Sequence, residues 1–217
     1  MFESWSVAFS ELVVRTQVRK GDSDERAIRL LQSYYNFARI FLDTHHSGDK
    51  MAFDMQTERF EIMVEQARAL INFPSPASTN AAQPFSFDIS LASPLNFLGA
   101  CCEDPQIRRK AINLLKTAEK SSWNCEHCAL VVQFILDTEE QGIEIVHRCE
   151  DIPSENRIRR IMSEVCFEEQ MIKVTYVRHP YTEATPAEAK VLPLRQPGGI
   201  VTAAESSESL PQVGGQR

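Results

Sequence analysis

Cys102-Glu103-Asp104-Pro105-Gln106-Ile107-Arg108-Arg109-Lys110-Ala111-Ile112-Asn113-Leu114-Leu115 reads as a helix start followed by a full helix face. Asp104 offers a side-chain acceptor to the amides left free at a helix N-terminus. Pro105, at the first helical position, forfeits no hydrogen bond there. Ile107, Ala111, Ile112, Leu114, Leu115 and Ala118 recur at three- and four-residue spacing as the buried side. That leaves Arg108, Arg109 and Lys110 on the wet side. The stretch predicts a helical protein, and the same grammar repeats in both directions from it.

Upstream, Ser93-Pro94 repeats the cap-plus-proline signal before the apolar run Leu95 to Cys102, which predicts a helix buried on most sides. Thr57 to Asn72 predicts another helix, with Phe60, Met63, Val64, Ala67, Leu70 and Ile71 inward, ended by Pro74 and Pro76. Ser75 to Gln83 reads as a polar loop. The best-patterned helix follows Gly21, where Asp22-x-x-Glu25 reads as a capping box. Its apolar stripe is Ala27, Leu31, Tyr34, Tyr35, Ala38, Phe41 and Leu42, and His45-His46-Ser47-Gly48-Asp49 breaks it. Trp5, Ala8, Phe9, Leu12 and Val13 place the opening residues in an amphipathic helix as well. A chain that opens inside a helix is expected to be part of something longer.

Downstream, Ser122 or Asn124 caps a helix running to Gln141 and stopping at Gly142. Six or seven helices are thereby expected by residue 142. The pattern then changes. Ile158 to Phe167 and Met171 to Arg178 are rich in Ile, Val, Phe and Tyr, separated by Glu168-Glu169-Gln170, and read as a hairpin. A helix over Ile158 to Val165 is the competing reading. From Pro186 on, Pro, Gly, Ser, Glu and Gln dominate, so the tail to Arg217 is expected to be disordered. The fold class is therefore mostly α, a multi-helix array with a small C-terminal β-hairpin and a disordered tail. The expected divisions are 1–150 for the helical domain, 151–180 for the hairpin packed on it, and 181–217 for the tail.

The hydrophobic content of 43% and charge content of 24% fit a globular chain with a real core. A net charge of −7, with no Lys/Arg block, argues against direct contact with a phosphate backbone and for contacts with proteins. No apolar run reaches membrane-spanning length. The acidic start, Met1-Phe2-Glu3-Ser4-Trp5, is not a secretory signal, so the six cysteines are read as thiols.

Several segments in fixed order resemble the C-terminal regulatory region of fungal binuclear-zinc-cluster (six-cysteine) transcription factors and their zinc-cluster-less relatives. They are Ala27-Ile28-Arg29-Leu30-Leu31 through Tyr34-Tyr35, Met51-Ala52-Phe53-Asp54 leading to Phe60-Glu61-x-Met63-Val64, and Phe85-Ser86-Phe87-Asp88. Ser93-Pro94-Leu95-Asn96-Phe97, the run from Cys102 to Leu115, Trp123, Glu139-Glu140-x-Gly142 and the Arg157-to-Arg178 hairpin complete the set. The resemblance implies a helical domain of transcription regulators that works through protein partners, in the nucleus, with homo- or heterodimers among the assemblies it allows. In such proteins six closely spaced cysteines hold two zinc ions and bind DNA. Here Cys101, Cys102, Cys125, Cys128, Cys149 and Cys166 do not reproduce that spacing, so no DNA contact is carried over to any residue.

The one sharp local motif is Trp123-Asn124-Cys125-Glu126-His127-Cys128. A Cys-x-x-Cys at a helix N-terminus can carry thiol–disulfide exchange, but that chemistry belongs after a strand, and a helix precedes this one. As half of a zinc site it would need a second pair, for which His147-x-Cys149 is the available spacing. Facing Val132 and Ile135, the two cysteines read better as small core side chains. His45-His46 reads as a solvated loop pair. Asp54 with Glu61, and Glu139 with Glu140, read as solvated faces and helix caps rather than acid–base pairs. Tyr34, Tyr35, Phe37 and Phe41 read as core rather than as a ligand pocket. The expectation is a transcription-regulator-like protein that is not an enzyme, with no catalytic, cofactor or metal residues. A non-catalytic helical scaffold or inhibitor of a related regulator is the alternative, and a thiol oxidoreductase stands third.

Overall fold

The computed structural model describes residues 2–17, 22–45, 50–72, 91–118, 123–178, 182 and 185–194. Six α-helices appear among them: α1 (Phe2–Gln17), α2 (Asp22–Thr44), α3 (Thr57–Ile71), α4 (Ala92–Cys101), α5 (Pro105–Thr117) and α6 (Trp123–Glu139). A 3₁₀ segment, Lys50–Gln56, leads into α3, and two short 3₁₀ turns, Cys149–Asp151 and Ser154–Asn156, lead into the sheet. The strands are β1 (Ile158–Cys166), β2 (Met171–Arg178) and β3 (Glu188–Pro193), antiparallel in the order β1-β2-β3.

The chemistry at the helix ends follows the sequence closely around α5. The Asp104 carboxylate accepts from the amides of Gln106 and Ile107 at 3.0 and 2.9 Å, with Pro105 opening the helix. Each bond satisfies a donor that the helix itself cannot. α4 begins two residues earlier than the Ser93 signal implies: Leu91 is its N-cap, without a side-chain bond. α6 ends at Glu139, and Gly142 follows at φ 82°, a left-handed value that glycine adopts without Cβ strain.

Two cores share α6. The first is helical: Ile40, Phe60, Met63, Val64, Leu95, Leu98, Ala111, Leu115, Cys125, Val132 and Leu136 bury their side chains together. Each large aliphatic or aromatic side chain sealed there stabilises the fold by roughly 1.5–3 kcal/mol. α4 and α6 approach so closely that a Cβ on Gly99 would lie 2.3 Å from a Val132 methyl. The second core lies between the other side of α6 and the sheet, where Val131 and Ile135 meet Ile158, Ile172, Val174 and Tyr176. An apolar surface on both sides is what a helix needs when it is sandwiched between layers.

The hairpin reading holds and the competing helix over Ile158 to Val165 does not: Val165 pairs with Ile172, Ser163 with Val174 and Ile161 with Tyr176. The expected disordered tail is corrected at 188–193, which forms β3, with Leu192 opposite Ile172 and Glu188 opposite Tyr176. A short, largely exposed segment becomes a strand because β2 offers it an unpaired edge. The Tyr176 hydroxyl and the Arg178 guanidinium also donate to its Glu188 carboxylate. Residues 195–217, the Ser75-to-Gln83 loop, the Phe85-to-Asp88 segment, the break at 46–49 and the Asp22 side chain lie outside the described residues.

α2 departs from its expected orientation. Ile40, Ser33 and Thr44 are its buried residues, with Phe37 against Phe97 of α4 at 4.6 Å. Leu31, Phe41 and Leu42, expected inward, are 37, 47 and 46% exposed. The helix carries apolar side chains on two sides, and the side that meets α3 and α4 takes the core.

Candidate functional site

Where α4 turns into α5, beside the end of α6, an arginine is sealed from water. Arg108 and Glu139 are 0% exposed, and Glu103 1%. From the guanidinium, Nη2 donates to Glu103 at 2.8 Å, Nη1 to Glu139 at 2.6 Å, and Nε to the Cys102 carbonyl at 2.7 Å. Burial alone would pull the arginine's pKa down, but the Glu139 and Glu103 carboxylates outweigh it and hold the charge firmly on. The other Glu139 oxygen accepts the Ile158 amide at 2.6 Å, and Asn156 donates to the Glu139 carbonyl at 3.2 Å. One carboxylate thus ties the helical core to the first residue of β1.

A second arginine closes the approach to the sheet. Arg157, 1% exposed, holds Asp54 with both carboxylate oxygens at 3.0 and 2.9 Å, and donates to the carbonyls of Ile152 and Cys149 at 3.2 and 2.7 Å. It joins the 3₁₀ segment before α3 to the turns before β1. Burial pushes the Asp54 carboxyl above its ordinary value, against the pull of Arg157. Burial also pushes the neighbouring Cys149 thiol up to about 11, with Asp54 and Glu150 adding to it.

These contacts correct the reading of the charged residues as a solvated face. Arg108 is buried because two carboxylates and a carbonyl replace its water, and Glu139 because an arginine and an amide do the same. Arg109 and Lys110 remain at the surface, Arg109 bonded to Glu140 and Lys110 3.8 Å from Glu61. All three cations of the run therefore meet a carboxylate. Asp54 and Glu61 have different partners and do not form a shared acid pair; nor do Glu139 and Glu140.

The cysteine pair sits in the helical core: Cys125 is buried and Cys128 packs against it. Burial pushes the Cys128 thiol up to about 11, with Cys125 adding to it. That is the direction opposite to the one that makes a thiolate nucleophile. His127 contacts Ser163 of β1 at 3.2 Å, and burial lowers its pKa. Among the described residues no three His, Cys, Asp or Glu side chains are grouped to hold a metal, and no helix is long and apolar enough to cross a membrane. His45 stacks on Phe41 with ring centroids 5.3 Å apart; His46 lies outside the described residues. The aromatic stripe of α2 divides: Phe37 enters the core, Tyr35 stacks on Trp5 of α1, and Phe41 faces outward.

Arg108 with Glu139 and Arg157 with Asp54 are pairings that sequence reasoning missed, and the partners of the second stand 103 positions apart. Comparison with protein-family models, with curated proteins and with solved structures returns no match.

Proposed function

We propose that this chain is a transcription-regulator-like protein, similar to the regulatory region of fungal zinc-cluster factors without their DNA-binding cluster, and that it acts through protein contacts. The observation that carries the reading is where the residues of the resemblance sit. Glu103, Asp104, Arg108, Arg109, Glu139 and Glu140 come from two segments far apart in sequence, and they meet at one corner of the fold. Asp54 and Arg157, from two further segments of the set, meet in a second clamp beside the sheet. The likeness thus rests on residues with a common architectural job, which scattered surface coincidences would not have. A net charge of −7 and a run of arginines already matched by carboxylates favour protein over nucleic acid as the partner.

Fusion of the chain to an unrelated DNA-binding domain upstream of a reporter tests this reading. Reporter output is expected to rise or fall severalfold relative to the DNA-binding domain alone. Unchanged output from a fusion present at normal levels contradicts the reading. The scaffold alternative gains if the chain captures a regulator while leaving that output unchanged.

A further inference from the structure

β1 has a strand on one edge and none on the other, since the sheet order is β1-β2-β3. The Gln170 carbonyl accepts from the Leu194 amide at 2.8 Å, on the β3 side of β2. The N–H of the same peptide unit, that of Met171, therefore points the opposite way, to β1. From there Met171 and every second residue after it bond β1 through Cys166, Glu164, Met162 and Arg160. Ile161, Ser163 and Val165 turn their N–H and C=O groups to the open edge, where no described residue bonds them. Met162, Ser163 and Glu164 are all exposed although they alternate between the two faces, so the middle of the strand is open along that side. Ile158–Cys166 holds no proline, whereas at the other edge of the sheet the outward Pro193 has no N–H to offer. A row of unpaired backbone groups on a strand this long is a template for another strand.

We propose that the strand completing this edge is β1 of a second copy, antiparallel about a twofold axis beside Met162, so that the two sheets become one. The charges select that partner. Arg160 stands two residues before Met162 and Glu164 two after it, on the same face of the strand. In the copy so placed, Arg160 faces Glu164 of the second copy, and Glu164 faces its Arg160, as an isologous contact requires. Opposed Cβ atoms lie about 5 Å apart, within reach of a guanidinium–carboxylate bond. Lys173 of β2 flanks Glu164 on its other side, so the row alternates in sign. The backbone agrees with this register. Ile161 falls opposite Ser163 of the second copy, and both turn their N–H and C=O outward, so each such pair exchanges both N–H···O bonds. An axis midway between residues would set outward groups against inward ones. An axis at Ser163 sets Met162 against Glu164, and one at Ile161 sets Arg160 against Met162. Only the Met162 axis pairs the charges, and Met162 is also the midpoint of Ile158–Cys166. α6 packs over Ile172, Val174 and Tyr176 of β2. The two α6 helices would thus lie about three strand spacings apart, ~14 Å, beyond the distance at which helices collide. One strand edge is a small contact, so a weak dimer is expected, forming at concentrations on the order of 100 μM. The proposal stands apart from the transcriptional reading, since it needs only the edge.

Sedimentation equilibrium and amide hydrogen exchange on the full chain, from about 10 μM to about 1 mM, read the outcome together. The mass is expected to move from monomer towards dimer. Over the same range the Ile161 and Ser163 amides are expected to slow several-fold, while the Met162 amide, already bonded to β2, is expected not to change. Arg160→Glu sets carboxylate against carboxylate twice across the axis, and Glu164→Arg sets guanidinium against guanidinium. Each variant alone is expected to stay monomeric with an unchanged circular dichroism spectrum. Mixed in equal amounts they are expected to dimerise again, because every charge then meets its opposite. Met162→Lys, which opposes two ammoniums on the axis through an exposed position, is expected to be monomeric as well, and serves should either charge change disturb the fold. A wild-type monomer at about 1 mM overturns the proposal. So do edge amides protected equally at every concentration, which would mean an edge closed within one chain. Variants that dimerise alone as the wild type does, or a mixture that stays monomeric, overturn it too.

Discussion

The corner where α5 meets α6 and the outer side of α2 are built on opposite choices. At the corner, a guanidinium and two carboxylates are withdrawn from water completely. On α2, two leucines and a phenylalanine are left in it. Neither follows from residue type. The corner tolerates charge because each group that lost water gained a partner in hydrogen-bonding geometry. α2 exposes its stripe because a helix between two neighbours has sides left over after the core has taken one. Partner supply, more than polarity, decides what is sealed.

The largest expected effect tests the corner. Arg108→Ala leaves two carboxylates buried without their cation, and urea unfolding is expected to show a loss of about 3–5 kcal/mol. Arg109→Ala, one position along and half exposed, is expected to cost less than about 1 kcal/mol. Equal costs for the two would erase the contrast.

The same comparison within α2 comes next. Ile40→Ala opens a cavity in the helical core and is expected to cost about 2–5 kcal/mol. Phe41→Ala, its neighbour, is expected to change the stability of dilute protein by no more than about 0.5 kcal/mol, despite removing more apolar surface. Between α4 and α6, Gly99→Ala drives a methyl into Val132 and is expected to cost about 1–3 kcal/mol by the same unfolding measurement.

Much of this architecture was legible in the chain. The Asp104 cap, the inward residues of α3, the α5 face and the pairing of β1 with β2 all follow local rules that hold wherever the segment is placed. What was not legible depends on distance. Arg108 looks like a surface arginine until Glu139, 31 positions on, is brought beside it. The Asp54–Arg157 pair has no local signal at all. The stripe of α2 was visible, but not that another side of the same helix would win the core. β3 was hidden because its short Val191-Leu192 core lies in a tail dominated by Pro, Gly, Ser, Glu and Gln, and becomes a strand only against the edge of β2.

Smaller effects should appear with pH, and their signs differ by site. Arg59 bonded to Asp43, and the His147 and Arg148 amides bonded to Asp151, hold both carboxyls below their ordinary value of 3.8. The stability each adds is present above 3.8 and is lost as pH falls through the lowered native value. Asp54, raised by burial, acts in reverse: its contribution is full below 3.8 and is lost as pH rises through the raised value. Burial of His127 favours the neutral ring, so its share is full above 6.5 and declines as pH falls below that. Unfolding free energies measured from pH 7 down to the acid limit should therefore fall less steeply just below pH 6.5 in His127→Gln than in the wild type. At the hairpin turn, Gln170 holds φ 54°. Gln170→Gly relieves that backbone but forfeits a bond to the Phe167 carbonyl, so a gain of only about 0.5 kcal/mol in thermal unfolding is expected.

Amide hydrogen exchange at Ile158 reads the link between the two cores most directly. Its N–H ends on the buried Glu139 carboxylate rather than on another strand. Exchange is expected only through global unfolding in the wild type, and many-fold faster under native conditions once Glu139→Ala removes the acceptor. An Ile158 amide that exchanges as fast as a solvent-exposed one in the wild type would contradict a sealed charge network joining helices to sheet.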